Sequence, residues 1–282
     1  MKDLGISSAL EIDDLRIVLA KGEVPIINGL SFVVPAGRTV ALVGESGSGK
    51  TMTSMAVMGL LPQGVLQTGG RIVLGGLPVG SLSAEEHRRL RNTAVAMVMQ
   101  NPMSAFDPVQ NISYHFRETL ASHGSVNKKE IRTKAIHGLE AAGFPDPRPI
   151  LELYPFQMSG GMLQRVMLAI ALISSPQLVI ADEATSDLDV LSQARILKLL
   201  KERCGRSGSA LLLITHDLSV AASMADEVVL IKEGKLVEKN AVDVFFRKPQ
   251  TQYAAKLLDL HRGLYSRRFI RIINNITEGV FS

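Results

Sequence analysis

The segment GESGSGKT, residues 44–51, has residue types and a glycine spacing that suit the binding of a nucleotide's phosphates. Glycines let backbone N–H groups close around the β- and γ-phosphates, the lysine adds a positive charge, and the final hydroxyl is an oxygen ligand for Mg²⁺. A helix that starts at the lysine would add the positive end of its dipole. We predict that the whole segment binds nucleotide: Gly44, Glu45, Ser46, Gly47, Ser48, Gly49, Lys50 and Thr51.

Two acidic residues follow the apolar run LVIA at residues 178–181. Asp182, at the end of this strand, is suited to hold Mg²⁺ through water, and Glu183 is suited to polarise an attacking water. An ordinary exposed strand end has the same sequence features. The phosphate-binding pattern upstream is what favours the catalytic interpretation.

Gln100 and His216 each come directly after an apolar run, VAMVM and ALLLIT respectively. In a doubly wound sheet the carboxyl ends of the strands converge on the ligand crevice, so both side chains are candidates for that crevice. We expect Gln100 to sense Mg²⁺ or the attacking water, and His216 to contact the γ-phosphate. Taken alone, each is more often a polar residue that caps a strand, and their order along the chain favours the catalytic roles.

A second glycine-rich segment, YPFQMSGGMLQR, spans residues 154–165. Ser159 is a good helix N-cap, and Gly160 and Gly161 expose backbone N–H groups to an anion. A plain helix N-terminus with a glycine turn has the same sequence features. The segment therefore raises the question of why a chain with one phosphate-binding loop would present a second.

The elements that must position these residues alternate along the chain. Two strand patterns come first, and RTVALV, residues 38–43, is a short strand suited to burial on both faces. Further buried strands alternate with helices after residue 176, whereas residues 101–175 carry helical patterns. This order predicts an α/β fold of the P-loop, RecA-like type. It would have a mostly parallel sheet, an N-terminal antiparallel β part and an inserted helical subdomain.

The same patterns predict four parts of the chain. They are the first part of a nucleotide-binding core (1–100), a helical subdomain with the second glycine segment (101–175), the second part of the core (176–245) and a C-terminal tail (246–282). The end of the tail mixes arginines with apolar residues. We favour a solvated terminus over one that contacts anionic lipid.

Composition excludes several classes of protein. The net charge is +4, only 5% of the residues are aromatic and there is no Trp, so no concentrated basic and aromatic surface for nucleic acid is expected. The single cysteine, Cys204, excludes an internal disulfide framework and fits a reducing compartment. The longest purely apolar run has eight residues, against about 18 needed to span a bilayer, so the chain is not expected to cross a membrane.

The order of these motifs resembles that of ABC transporter ATPase subunits over about residues 10–250. The matching motifs are GESGSGKT, Gln100, MSGGMLQR, LVIADE, SDLD and His216. The resemblance implies hydrolysis of ATP with Mg²⁺ as cofactor. Catalytic roles would fall to Glu183 as general base, His216 and Gln100, and Mg²⁺ would be held by Thr51, Gln100 and Asp182.

The resemblance also explains the second glycine segment. In this family two ATPase subunits pack head to tail, and the signature motif of each closes over the ATP held by the other. Ser159, Gly160 and Gly161 match the signature and would act on the partner's ATP, while Asp189 would lie at the subunit interface.

A finer resemblance is to the oligopeptide, dipeptide and nickel importer branch of the family. QNPMSAFDP and MSGGMLQR are typical of it, and GLLPQGVLQTGG and TSDLDVLSQARIL look most like the first ATPase subunit of nickel importers. The implied function is to power import of nickel or a nickel chelate. A di- or oligopeptide importer is the alternative. A soluble ABC ATPase is a weaker alternative: members that act on chromosomes insert a very long coiled coil between the glutamine and the signature, whereas here only 58 residues separate Gln100 from Ser159.

The resemblance implies several partners. They are a second, different ATPase subunit, two membrane permease subunits and an extracytoplasmic solute-binding protein, with the chain peripheral on the cytoplasmic face of the inner membrane. No nucleic acid is expected.

The chain departs from the family pattern at several positions. Ala184 stands where the family usually has Pro, Asp187 where it usually has Ala, and Met162 where it usually has Gln. The aromatic residue that usually stacks on adenine lies upstream of the phosphate-binding loop, yet this chain has no aromatic before Phe32. We expect aliphatic contact with adenine instead, for example near Leu19 or Val24.

Overall fold

The computed structural model describes residues 8–21, 24–121, 127–186 and 188–264, except the side chains of Asn92 and of residues 262–264. Asp187 and the end of the tail, on which we made predictions, lie outside the described residues. The chain divides into two compact units: unit 1 is formed by residues 1–81 and 211–282, and unit 2 by residues 82–210.

The elements follow one another in this order. The strands of the described residues are β1 (Ser8–Leu19), β2 (Val24–Pro35), β3 (Thr39–Val43), β4 (Val65–Leu74), β5 (Leu77–Pro78), β6 (Val95–Val98), β7 (Leu178–Asp182), β8 (Ala210–Thr215), β9 (Glu227–Lys232) and β10 (Lys235–Ala241). The α-helices there are α1 (Lys50–Met58), α2 (Ala84–Thr93), α3 (Ile112–Ala121), α4 (Lys128–Ala141), α5 (Pro147–Glu152), α6 (Gly160–Leu172), α7 (Val190–Ser207), α8 (Leu218–Met224), α9 (Val242–Arg247) and α10 (Gln252–Leu264).

Unit 1 contains an antiparallel sheet in the order β2-β1-β4-β5. Strand β1 lies between two long neighbours, so that Ile12 pairs with both Phe32 and Ile72. All three side chains are buried. The alternation of apolar and polar residues in β1 and β2 thus buries one face of this sheet, as expected for antiparallel strands.

Unit 1 also contains parallel strands. Strand β3 is parallel to both β8 and β9, with Val40 paired to Leu212 on one side and to Glu227 on the other, and β10 is antiparallel to β9. Four of the five residues of β3 are buried, which fits its continuous apolar sequence. A core of side chains from β3, β9 and helices α8–α10 packs here, and it includes Ala41, Leu218, Val228, Phe245, Phe246, Ala254 and Leu258.

Unit 2 combines two parallel strands with helices. Strands β6 and β7 pair in register from Val95 with Leu178 to Val98 with Ala181. Helix α2 begins with a capping box, in which Ser83 accepts from the backbone N–H of Glu86 and the Glu86 side chain accepts from that of Ser83. Helix α6 packs against α3, α4 and α7, and it is buried almost all round, as its apolar sequence predicts.

The predicted fold class is confirmed: an α/β protein with an antiparallel N-terminal sheet, parallel-rich strands and a phosphate-binding loop. The structure adds elements that the sequence patterns did not delimit, chiefly α10 and a β4 that starts at Val65. Among the described residues, no helix combines the length and the apolar character that a membrane span requires. The division into four parts stays a prediction.

Candidate functional site

The phosphate-binding loop of unit 1 runs from the end of β3 to the start of α1. Gly49 caps α1 with a φ of 102° and makes no side-chain capping bond, so the helix begins at Lys50. The buried Lys50 amine donates two hydrogen bonds of 2.8 Å, one to the Gly44 carbonyl and one to the Glu45 carbonyl. The Lys50 side chain therefore turns back to bind the carbonyls at the start of its own loop.

Close packing requires two glycines of this loop, and backbone conformation requires the third. A Cβ at Gly44 would lie 2.4 Å from the carbonyl oxygen of Ile231, and one at Gly49 would lie 2.3 Å from Cδ1 of Ile27. Gly47 has open space around it but a φ of 78°, a backbone conformation that costs an L-residue about 1–2 kcal/mol. Each of the three glycines is thus required by the fold of this chain itself.

The turn of the β9–β10 hairpin forms a hydrogen bond with the phosphate-binding loop. Glu233 and Gly234, between β9 and β10, both have positive φ, at 50° and 72°, as in a two-residue type I′ turn. The Gly234 N–H donates to the Ser48 carbonyl (3.1 Å), and the Gly234 carbonyl accepts from the Asn28 N–H (2.8 Å). The contact with the loop could not be predicted, since nothing local to the sequence KEGKLVE points to Ser48.

The loop fits an anionic polyphosphate. The first turn of α1 directs backbone N–H groups outward without a side-chain cap, and the Lys50 amine lies beside it. The Ser48 hydroxyl is buried and has no hydrogen-bond partner among the described residues, so it is available to a ligand oxygen. The exposed Thr51 hydroxyl is a hard oxygen donor of the type that Mg²⁺ takes.

The residues proposed to replace the missing aromatic lie at the ends of two paired strands in unit 1. Leu19 pairs with Val24 across β1 and β2, and the two are 41% and 55% exposed. Leu66 on β4, also exposed, pairs with Val18 and therefore lies on the other face of the sheet. Leu19 and Val24 form an exposed aliphatic pair, and its contact with adenine stays a prediction.

His216 lies where the sequence predicted it, directly after β8, and its side chain is exposed. The next residue, Asp217, caps α8 by accepting a hydrogen bond from the Ser219 N–H (2.7 Å). Burial works to raise the pKa of Asp217, but the neighbouring His261 and hydrogen bonds from the first turn of α8 hold it below its usual value. Nε2 of His261 on α10 accepts a hydrogen bond from the Leu218 N–H (3.2 Å).

In unit 2 the two predicted acids end strand β7. Asp182 is its last residue and is only 6% exposed, whereas Glu183 is half-buried. Glu183 has a φ of 47°, a strained conformation that persists only where neighbouring contacts enforce it. The Ser186 N–H and hydroxyl both donate to the Glu183 carbonyl, at 3.2 and 3.0 Å. Hydrogen bonds from Ser186 thus hold the backbone of Glu183, and with it the base of its side chain, in an uncommon conformation.

Gln164 connects three functional segments of unit 2, and sequence reasoning missed it. Its amide donates to the Ala184 carbonyl (2.7 Å) and to the Met99 carbonyl (3.2 Å), while its own side-chain oxygen is buried without a partner among the described residues. Those carbonyls directly follow Glu183 and directly precede Gln100. One side chain on the signature helix α6 therefore binds the backbone beside both predicted catalytic residues. A lone amide in the apolar run MLQRVMLAIALI was the available signal.

The signature segment begins α6 as predicted. Ser159 is the N-cap, and its hydroxyl accepts from the Met162 N–H at 3.4 Å. Around Gly160 there is open space, with nothing within 4 Å of an added Cβ, and the nearest atom to one at Gly161 is the Ser192 hydroxyl at 3.6 Å. The packing of this chain does not require either glycine.

Asp189 starts α7, the helix that passes beside Gly161. Its carboxylate accepts from the Leu191 and Ser192 N–H groups, at 3.0 and 3.1 Å, and hydrogen bonds from Ser192 hold its pKa below the usual value. The two residues that follow, Val190 and Leu191, are 61% and 70% exposed. An apolar and an acidic group thus lie next to the signature on the surface of unit 2.

Comparisons with known proteins agree with these motifs. The family model described as ABC transporter matches residues 27–186, more than half of the chain. The nickel import ATP-binding protein NikD of Brucella abortus is 40% identical over 261 residues, which are 93% of this chain and 94% of the relative. The oligopeptide transport ATP-binding protein AppD of Bacillus subtilis is 40% identical over 260 residues, 90% of this chain and 78% of the relative.

Solved structures show the same fold. The ATP-binding cassette MJ0796, solved as a dimer in a post-hydrolysis state with ADP and Pi, has a TM-score of 0.74 at 23% identity, covering 83% of this chain and 98% of that one. At this identity the likeness shows the fold alone. Together with the matched family model and the relatives, it shows that the chain belongs to the ABC transporter family, in which it is an ATP-hydrolysing cassette.

Proposed function

We propose that the chain powers an importer for nickel or a nickel chelate. The observation that carries this proposal is its 40% identity with the nickel import protein NikD of Brucella abortus over 93% of its length. AppD, an oligopeptide transport protein, is as similar over 90% of the chain, so a di- or oligopeptide importer is the second candidate. Nickel is cargo here, and we place its binding on partner proteins rather than on this chain.

The proposed chemistry divides between the predicted residues. Lys50 and the N–H groups of GESGSGKT would bind the β- and γ-phosphates of ATP, and Glu183 would take a proton from the attacking water, with His216 at the γ-phosphate. We assign Thr51, Gln100 and Asp182 to Mg²⁺, which when bound would neutralise charge on the phosphates. The strained, hydrogen-bonded backbone at Glu183 supports its assignment, because such strain collects at functional sites.

We propose that the signature acts on ATP held by a partner cassette. Ser159, Gly160 and Gly161 would present the N-terminus of α6 to that ATP, and Asp189 would lie at the interface. The open space around Gly160 supports this role: no neighbour in this chain excludes a side chain there, whereas a closely approaching phosphate would. The partner is proposed to be a different ATPase subunit.

A groove in unit 2 is the proposed contact with a membrane permease. It has a volume of about 850 Å³, and both charged and apolar side chains line it, among them Arg88, Arg89, Glu118, Phe106, Met167 and Ile170. Ala105 and Phe106 on one wall belong to the segment that follows Gln100. Two permeases and an extracytoplasmic binding protein would complete the importer, with this chain on the cytoplasmic face of the membrane.

Transport in proteoliposomes tests the cargo. The chain is reconstituted with its second ATPase, two permeases and binding protein, and ATP-dependent uptake of radioactive nickel, with and without a chelator, is compared with uptake of labelled oligopeptides. Nickel uptake that stops in Glu183→Gln supports the proposal. Peptide uptake without nickel uptake selects the second candidate. An ATPase that neither binds permeases nor supports uptake would indicate a soluble ABC ATPase.

The same variant tests the base. We expect Glu183→Gln to bind ATP as wild type does but to hydrolyse it about 10²- to 10⁴-fold more slowly, the usual contribution of a general base. Lys50→Ala is the matched variant in unit 1 and should lose ATP binding itself. Hydrolysis by Glu183→Gln at the wild-type rate would remove Glu183 from the mechanism.

A further inference from the structure

The phosphate-binding loop contains an acid where an anion is to bind. Glu45 is the second residue of GESGSGKT, and its side chain is exposed. Its backbone carbonyl already accepts from the Lys50 amine, so the residue lies in the immediate surroundings of the phosphate-binding lysine. A carboxylate free to swing over this loop would repel the phosphates, because like charges within a few ångströms disfavour each other.

Tyr253 of α10 binds that carboxylate. Its hydroxyl donates a hydrogen bond of 2.8 Å to Oε1 of Glu45, and the Lys232 ammonium lies 4.5 Å from the centre of its ring. Burial, this hydrogen bond and the negative charges of Glu45 and Glu233 raise the pKa of Tyr253 to about 12, so at neutral pH the hydroxyl keeps its proton. The carboxylate is therefore held by a donor that does not belong to the loop.

Helix α10 is anchored firmly enough to aim Tyr253. At its start the buried Glu238 of β10 accepts from the backbone N–H groups of Gln250 and Thr251, at 3.0 and 2.9 Å. In its middle Ala254 and Leu258 are buried in the core of unit 1. Near its end His261 accepts from the Leu218 N–H. Three separate attachments thus fix the helix on both sides of the tyrosine.

We propose that Tyr253 is a positioning residue that holds the Glu45 carboxylate away from the phosphates of ATP, so that α10 tunes the affinity of the loop. The inference rests on the proposed ATP site at residues 44–51. It assigns a role to a helix beyond the residues that the family model matches. Without the Tyr253 hydroxyl, the Glu45 carboxylate is free to approach the phosphates. Without the charge on Glu45, the hydroxyl has no carboxylate to hold and no effect on ATP binding.

A double-mutant cycle in the purified full-length chain tests this role, with the ATP dissociation constant measured by calorimetry. Tyr253→Phe, which keeps the ring over Lys232, should weaken ATP binding about three- to tenfold, the scale of one hydrogen bond to a charged group. Glu45→Gln should bind ATP about two- to fivefold more tightly, because it removes the repulsion. The double variant should match Glu45→Gln, since no carboxylate remains to be held.

Several results would overturn the proposal. Additive effects in the cycle would mean that Tyr253 acts by structure alone, and weaker binding in Glu45→Gln would mean that the carboxylate assists the phosphates. The Glu45→Gln result stands even where Tyr253→Phe fails to fold, which melting curves report. Gln252→Ala, an exposed neighbour on α10, is the matched control and should match wild type. A wild-type chain that does not bind ATP would instead refute the nucleotide site.

Discussion

The two glycine-rich turns of this chain look alike in sequence but differ in what requires their glycines. In the phosphate-binding loop of unit 1, an added Cβ would come within 2.3–2.4 Å of neighbouring atoms at Gly44 and Gly49. In the signature of unit 2, nothing lies within 4 Å of a Cβ at Gly160. The chain packs on Gly44 and Gly49 of the first turn, so its own fold requires these glycines. No such packing requires the glycines of the second turn, and we propose that the ATP of a partner cassette does.

The helix starts differ in a matching way. The N-cap residue of α1 is Gly49, which offers no side-chain cap, whereas that of α6 is Ser159, whose hydroxyl accepts from the Met162 N–H. An uncapped N-terminus leaves its backbone donors for a ligand that stays bound, while a capped one is stable without any ligand. The start of α1 thus keeps backbone donors for the phosphates that we propose it binds, whereas the start of α6 is stabilised by its own serine.

The largest effect on stability should come from Gly49→Ala. The variant combines a positive φ with a clash against Ile27, so we expect it to lower the free energy of unfolding by about 2–5 kcal/mol and to lose ATP binding. Gly47→Ala is the matched control, because it shares the positive φ but has open space and should lose only about 1–2 kcal/mol. Urea unfolding of both checks this. Equal losses would show that packing does not determine the glycine at position 49.

Gly160→Asp should show the opposite behaviour. The space around residue 160 admits the side chain, and an acid in the first turn of α6 favours the helix dipole, so the isolated chain should unfold within about 0.5 kcal/mol of wild type. In the assembled transporter the same acid would face the partner's phosphates and should slow ATP hydrolysis there about 30- to 100-fold.

The measurement for Gly160→Asp uses transporters in which this chain's own loop is disabled by Lys50→Ala, so that only the partner's site turns over. A stable variant with a normal rate at that site would break the comparison, because the signature would then have no role in trans. An unstable Gly160→Asp variant would also contradict the comparison, because it would show that the fold of the chain itself requires the glycine.

Gln164→Met should sharpen the comparison within unit 2. The variant keeps the volume but removes the donor to the Met99 and Ala184 carbonyls, so we expect kcat for ATP to fall about tenfold, equivalent to about 1.4 kcal/mol, with KM nearly unchanged. Steady-state ATPase kinetics of the transporter measure this split. A raised KM with normal kcat would mean that Gln164 serves binding instead of the geometry of Glu183 and Gln100.

The last prediction concerns Glu238, which holds the start of α10, and its effect on stability depends on pH. Burial works to raise the pKa of Glu238, but hydrogen bonds from Gln250, Thr251 and Asn240 hold it below the ordinary value of 4.5. A lowered folded-state pKa stabilises the fold above about 4.5, and this stabilisation is lost as the pH falls through the folded value. Glu238→Gln should therefore cost about 1–2 kcal/mol at pH 7. Urea unfolding should show the difference from wild type shrinking below pH 4.5, and a constant difference would contradict it.

Local patterns predicted most of the fold and of the candidate site. GESGSGKT, LVIADE and the apolar strands need only a few consecutive residues to be recognised, and the structure has the expected strand, turn or helix at each. Contacts between distant residues could not be predicted. The Glu45–Tyr253 hydrogen bond joins residues 208 apart, and Gln164 reaches carbonyls 20 and 65 residues away. Such pairs carry no local signal, because their geometry exists only after the chain has folded.

The hairpin turn at Gly234 has a consequence for the order of events during synthesis. Its N–H binds the Ser48 carbonyl, and strand β3, which leads into the loop, lies between β8 and β9. The first fifty residues contain the whole phosphate-binding loop except Thr51, yet one hydrogen bond that shapes the loop comes from Gly234, made almost two hundred positions later. A growing chain therefore lacks this hydrogen bond, and the strands on both sides of β3, until residues 210–234 have been synthesised.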